Sequence, residues 1–159
     1  MNIAQFLKER GVAFDVVRHR ETFTAADLAT VMEIPSSQVA KTVLLRADHG
    51  YRHFVVVMPA GHRIDFPRLS RALGGSQIEL ASEQCLAEHC PDCERGVLPP
   101  FGSQYGMRTV VDSALLAAEQ IIFEANTHSE AIRMKLADYL RIEQPLVIPI
   151  TTDSFVGQS

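Results

Sequence analysis

The sequence predicts an α+β fold in which helices cover a largely antiparallel or mixed sheet. Three observations carry this. Short runs rich in β-branched residues are interspersed with stretches whose apolar residues fall at helical spacing. Consecutive strands are mostly joined too tightly for the long crossovers of βαβ units. The composition, 47% hydrophobic and 21% charged over 159 residues, is that of one globular domain able to bury a core without staples. The expected organisation is a single domain over residues 1–150 and a polar, frayed tail over residues 151–159.

The elements follow in order. Asn2 caps a first helix in which Ile3, Phe6 and Leu7 share a face, and Gly11 ends it. Phe14 to Arg18 reads as a short strand. A second helix over residues 24–32 puts Ala25, Leu28, Ala29 and Met32 on one face, and Pro35 prevents its continuation. Residues 39–46 form a strand, Asp48-His49-Gly50 a turn, and residues 51–58 the returning strand. Asp65 caps a helix with Pro67 in its first turn, which ends at Gly74-Gly75. Ile78 to Leu80 is a short strand, and Ser82 caps a helix reaching His89. Residues 90–106 are rich in proline and glycine and read as an irregular loop. Arg108 to Asp112 and residues 120–125 are strands around a helical turn at Leu115. Residues 131–135 make a last strand that leads into a helix over residues 137–141.

Charge and composition exclude several classes of function. The formal net charge is −4, so the chain does not hold nucleic acid by bulk electrostatics, and any RNA contact must be a local patch. DNA is not an expected partner. No apolar run approaches the ~20 residues that span a bilayer, and no membrane association is expected. The first residues lack the basic stretch and apolar core of a secretory signal. An odd set of cysteines, Cys85, Cys90 and Cys93, then argues for reduced thiols in the cytoplasm.

Several residues stand out chemically. Lys41 interrupts the apolar strand Val39-Ala40-Lys41-Thr42-Val43-Leu44-Leu45, on the face of Val39, Val43 and Leu45. A lysine there needs water, a partner or a ligand anion for its head group. Both an edge-strand lysine reaching solvent and an anion-binding lysine fit that pattern. Gly96-Val97-Leu98-Pro99-Pro100-Phe101-Gly102 is a stiff loop whose remaining N–H groups can face a ligand, a device of acyl-transfer sites. His128, just after an apolar strand, can line a pocket or donate a hydrogen bond, while Ser129 lacks the surroundings of a nucleophile. Arg63, Arg68 and Arg71 cluster around the helix capped by Asp65 and form the best phosphate-contacting patch, or else a solvated face. Cys85, His89, Cys90 and Cys93 invite a zinc reading, yet a second ligand pair is missing, and neither a metal nor another cofactor is expected.

Thr24-Ala25 opening the second helix, Val39-Ala40-Lys41-Thr42-Val43, and Asp92-Cys93-Glu94-x-Gly96-x-x-Pro99-Pro100-Phe101-Gly102 together resemble the YbaK/prolyl-tRNA synthetase-associated domain family. Val111-Asp112 and Phe123-Glu124-Ala125 with His128 continue the resemblance, which runs from about Ile3 to Leu140. It implies a barrel-like mixed sheet covered by helices, and an aminoacyl-tRNA deacylase acting on tRNA, often tRNA(Pro), that carries a small wrong amino acid. It implies that Lys41 holds the 3′-terminal nucleotide. It implies that the loop from Gly96 to Pro100 meets the aminoacyl group, and that His128 lines the amino-acid pocket. Lys41 and Gly96 are therefore the expected catalytic pair, with Thr42, Leu98, Pro99, Pro100, Phe101, Gly102 and His128 as substrate-binding residues. Ala125-Asn126 departs from the family, where a glycine is frequent. Beyond tRNA, an aminoacyl-tRNA synthetase is a conceivable partner.

An aminoacyl ester is already activated, so water can attack it without a protein nucleophile. Backbone N–H groups near Gly96 would stabilise the oxyanion and Lys41 would orient the substrate. No general base is evident in the sequence. The alternative is a non-catalytic module of the same fold that binds an aminoacyl-tRNA end or a protein.

Overall fold

The computed structural model describes residues 2–48 and 52–153. The expected turn residues His49 and Gly50, the first residue of the returning strand, Tyr51, and residues 154–159 of the expected tail lie outside the described residues.

Among the described residues, five short α-helices and ten strands follow one another as α1 (Ile3–Glu9), β1 (Phe14–Arg18), α2 (Ala25–Met32), β2 (Ala40–Ala47), β3 (Arg52–Pro59), β4 (His62–Ile64), α3 (Phe66–Ala72), β5 (Ile78–Leu80), α4 (Glu83–His89), β6 (Arg108–Asp112), β7 (Gln120–Glu124), β8 (Glu130–Lys135), α5 (Leu136–Glu143), β9 (Leu146–Ile148) and β10 (Thr151–Asp153). Four helix starts are set by local chemistry. The side chains of Asn2, Thr24, Asp65 and Ser82 each accept from the N–H three residues ahead, satisfying a donor that the helix itself leaves orphaned.

The main sheet has the order β5-β2-β3-β6-β9. β2 pairs antiparallel with β3 and β5, whereas β3, β6 and β9 run parallel. A second, antiparallel sheet has the order β1-β8-β7, and β10 pairs with β4. The fold is thus α+β with a mixed sheet. It is not a closed barrel, because β5 and β9 remain edges and closure requires the end strands to pair. The two larger sheets touch through a parallel bridge between Val39 and Ile122. Between them lies the principal core, in which Phe101 and Tyr139 are fully buried alongside Ile3, Leu7, Val57, Val111, Phe123 and Ile132.

Two features differ from expectation. Thr151–Asp153, expected to begin a frayed tail, is strand β10. Its Thr151 N–H and hydroxyl and the Ile150 N–H all donate to the buried carboxylate of Asp112, at 3.1, 2.6 and 2.9 Å. Cys90 and Cys93, expected as reduced thiols, are joined by a disulfide, because the turn after α4 brings their Cα atoms to 5.7 Å, within the usual span of such a bond. Among the described residues no helix is long and apolar enough to cross a membrane.

Candidate active site

A cleft of about 470 Å³ opens where β2 leaves the inter-sheet bridge, within the size range of small-ligand sites. Its walls come from Phe23 and the first turn of α2, from Lys41 and Thr42 on β2, from Gly61 to Arg63, and from Gly96, Leu98 and Glu124.

Lys41 reaches this space because its strand runs past the edge of the core. Its strand-face neighbours Val43 and Leu45 pack into a separate apolar cluster, but Lys41 itself is exposed. Among the described residues its ammonium has no ion-pair or hydrogen-bond partner, so it is available to a ligand anion. Beside it, the buried hydroxyl oxygen of Thr42 also finds no hydrogen-bond partner among the described residues.

Gly96 stands opposite on the loop. Its φ of +87° is a conformation that suits glycine. The turn before it is held at three points: the Glu94 N–H donates to the Asn126 carbonyl at 2.8 Å, the Val97 N–H to the Glu94 carbonyl at 3.0 Å, and the His128 Nε2–H to the Arg95 carbonyl at 2.7 Å. The N–H groups of Gly96 and Leu98, both on the cleft wall, find no acceptor among the described residues. Two such donors on a fixed turn are what an oxyanion requires.

Asn126, in the Ala125-Asn126 pair, works in this support. Its Oδ1 accepts from the Ile3 N–H at 3.0 Å and its Nδ2 donates to Cys93 Sγ at 3.4 Å, tying α1 to the turn ahead of Gly96.

His128 is buried behind the turn, with Phe23 packed on its ring at 4.8 Å between centroids. Its Nε2–H is committed to a carbonyl, so its Nδ1 carries a proton only when the ring is cationic. That Nδ1 faces Glu124 Oε2 at 3.4 Å, within ion-pair reach though misaligned for a hydrogen bond. Burial pushes the Glu124 carboxyl up to about 7, against the opposing pull of His128 and with added repulsion from Glu94. Burial works against charge on His128, but the Arg95 carbonyl and the Glu124 and Glu94 carboxylates outweigh it and leave the imidazole raised. A carboxyl on the cleft wall that titrates near neutrality is a proton acceptor of the strength general-base chemistry needs.

The remaining expected residues divide. Arg63 lines the cleft, while Arg68 and Arg71 are exposed on α3, with Arg68 3.8 Å from Asp65. Pro99 and Pro100 are buried behind the wall, where the Pro100 carbonyl accepts from the Tyr139 hydroxyl at 2.6 Å. Phe101 and Gly102 lie in the core and are absent from the cleft wall. A Cβ on Gly102 would come within 2.7 Å of Thr109 Oγ1, so that glycine serves close packing. Sequence reasoning gave no role to Glu124, the last residue of strand β7, or to Phe23, a large exposed apolar residue just before the helix cap Thr24.

A family model of the aminoacyl-tRNA editing domain matches residues 19–142. The multifunctional Ser/Thr-tRNA deacylase ProXp-y of Escherichia coli (strain K12) is 27% identical over 145 residues, covering 89% of this chain and 86% of that one. The prolyl-tRNA editing protein ProX of Acetoanaerobium sticklandii is 21% identical over 140 residues, covering 86% of this chain and 85% of its own. A solved structure described as a candidate trans-editing enzyme for prolyl-tRNA synthetase superposes with a TM-score of 0.80 at 19% identity, covering 94% of each chain, a likeness of fold.

Proposed function

The chain belongs to the aminoacyl-tRNA editing domain family, and on that premise we propose that it hydrolyses the ester of mischarged aminoacyl-tRNA in trans. One observation carries the reading: Lys41, Gly96 and Leu98 line one cleft, and among the described residues neither the lysine nor those two backbone N–H groups has a partner. The likeness to a Ser/Thr-tRNA deacylase and to a prolyl-tRNA editing protein favours a small amino acid on tRNA(Pro) as the group removed.

The ester is the bond that breaks, between the aminoacyl carbonyl and a terminal ribose oxygen. Lys41 binds the terminal phosphate or ribose and fixes the carbonyl near Gly96. The first turn of α2 lines the same cleft, and the free N–H groups of a helix start favour an anion on that side. Water attacks the carbonyl and the N–H groups of Gly96 and Leu98 stabilise the oxyanion, an effect worth roughly 3 kcal/mol per donor in other acyl-transfer enzymes. Glu124 takes the proton from water, with His128 holding the carboxyl in place, and the ribose oxygen leaves with a proton.

With a net charge of −4, RNA affinity rests on a patch. Arg63 begins it at the cleft and Arg68 and Arg71 extend it along α3. An aminoacyl-tRNA synthetase as partner would supply further tRNA affinity, and the site of action is the cytoplasm.

The test is Lys41→Ala assayed on a panel of mischarged tRNAs. Loss of orientation predicts a fall on the order of 100-fold in deacylation, with the melting temperature unchanged because the side chain is exposed. Wild-type turnover in that variant sinks the proposal. A wild-type protein that protects the ester instead of consuming it marks a binding module.

A further inference from the structure

Outside the cleft, three side chains converge that the deacylation chemistry does not use. His53 on β3 and Cys85 and His89 on α4 place their ligand atoms within 4.8 Å of one another. Cys85 Sγ lies 3.2 Å from His53 Nε2 and 3.6 Å from His89 Nδ1. With Zn–S near 2.3 Å and Zn–N near 2.0 Å, a tetrahedral centre sets sulfur and nitrogen about 3.5 Å apart. Both sulfur–nitrogen distances already have about that spacing, and the two imidazole nitrogens lie within 4.8 Å of each other.

We propose that His53, Cys85 and His89 bind a zinc-class divalent ion that clips α4 onto the main sheet. One thiol and two imidazoles form a donor set suited to zinc. Binding displaces the Cys85 thiol proton to solvent and exchanges the His89 Nδ1 contact with the Cys85 carbonyl, now 2.9 Å, for a coordinate bond. The neighbouring cation Arg46 is paired with Glu79 at 2.7 Å, and Glu88 adds negative charge toward Cys85. His53 also lines an open cavity of about 600 Å³, through which a water or other exogenous group can complete the coordination.

The fold gives the ion a task. α4 spans seven residues and buries none of them fully. Its apolar contact is the partly buried pair Cys85 and Leu86 against Leu44, Val55, Leu98 and Met107. Such a helix is weakly held, yet it begins the segment that carries Gly96. A metal clip at His53 fixes the near end of that segment without touching the cleft, whose lining shares no residue with the cluster.

The experiment uses the full chain, stripped with a chelator and titrated with Co(II), then with Zn(II) in competition. The expected result is stoichiometric uptake with a thiolate-to-cobalt charge-transfer band, displaced by Zn(II), and a melting temperature several degrees higher in excess Zn(II). Cys85→Ser and His53→Gln should each lose stoichiometric binding, whereas the Cys90→Ser/Cys93→Ser double variant should keep it. Failure of the wild type to take up either ion overturns the proposal. So does a wild-type cobalt spectrum without the thiolate band, uptake that survives Cys85→Ser, or uptake that disappears with Cys90 and Cys93. The wild-type spectrum decides the matter even if a variant fails to fold.

Discussion

The two halves of the loop between α4 and β6 are built differently. Upstream, Asp92, Glu94, Arg95 and Gly96 are exposed, and the segment is held by a disulfide, by hydrogen bonds to Asn126 and His128, and by an Arg95–Glu83 ion pair. Downstream, every residue from Val97 to Gly102 is buried. Phe101 packs edge-on against Phe6, Phe123 and Tyr139 at 5.5, 5.8 and 5.1 Å. The Gly102 N–H donates to Thr109 Oγ1 at 3.0 Å, and Glu143 accepts from the Ser103 and Thr109 hydroxyls at 2.6 and 2.5 Å. A motif that resembles one continuous ligand loop is half site and half foundation. The buried half fixes where the exposed half stands, so a donor at Gly96 needs no reorganisation when charge develops before it.

The contrast is broken most severely at Phe101. Phe101→Ala removes a fully buried ring from the centre of an aromatic cluster and should cost about 3–5 kcal/mol of stability. Denaturant unfolding measures it directly. The folded fraction of the variant should still deacylate, because the ring does not line the cleft. A stable Phe101→Ala protein that no longer turns over would return this residue to the substrate side.

At Gly96 the balance should reverse. A Cβ there meets only His128 ring atoms at 3.7 Å, an ordinary contact, so the penalty of Gly96→Ala is backbone strain at φ +87°, about 1–2 kcal/mol. Relief of that strain rotates the Arg95–Gly96 peptide and shifts the donor. Deacylation should then fall by on the order of 10- to 100-fold, with a melting temperature only a few degrees lower. Full activity in Gly96→Ala would remove the N–H at this position from the mechanism.

How much of this was legible in the sequence follows the range of the interactions. Helix starts at Asn2, Thr24, Asp65 and Ser82 are local events, and they stand where the sequence puts them. Strands β4, β9 and β10 were not legible. Each spans three residues and exists only through a distant partner, as Thr151 does through Ile64 and Asp112. Lys41 was legible as a charge breaking an apolar run, and Gly96 as a glycine ahead of two prolines. Phe101 was misplaced because a motif marks which residues recur together, not which side of the backbone each one faces. His53 was invisible as a partner of Cys85 because strand pairing and helix packing bring together residues 32 apart in sequence.

The finest distinction between site and foundation lies in two carboxylates, Glu143, which is buried, and Glu124, which is partly buried. Glu143 is surrounded by hydroxyl and N–H donors, while Glu124 has the imidazole of His128 and a cleft. Folded Glu124 keeps its proton up to about 7, whereas the unfolded chain loses it near 4.5. The folded state therefore binds more protons in that window, and this group's contribution to stability is present below pH 4.5 and lost as pH rises through about 7. The raised imidazole of His128 acts in the same direction at the upper end. Glu124→Gln should flatten the decline of melting temperature between pH 4.5 and 7, with little change below it. The same ionisation should appear in catalysis. Wild-type kcat/KM for deacylation should rise through an apparent pKa near 7 as the carboxylate forms, and the glutamine variant should lose that rise. If melting flattens but the rate profile is unmoved, Glu124 belongs to the foundation with Glu143, and water is deprotonated elsewhere.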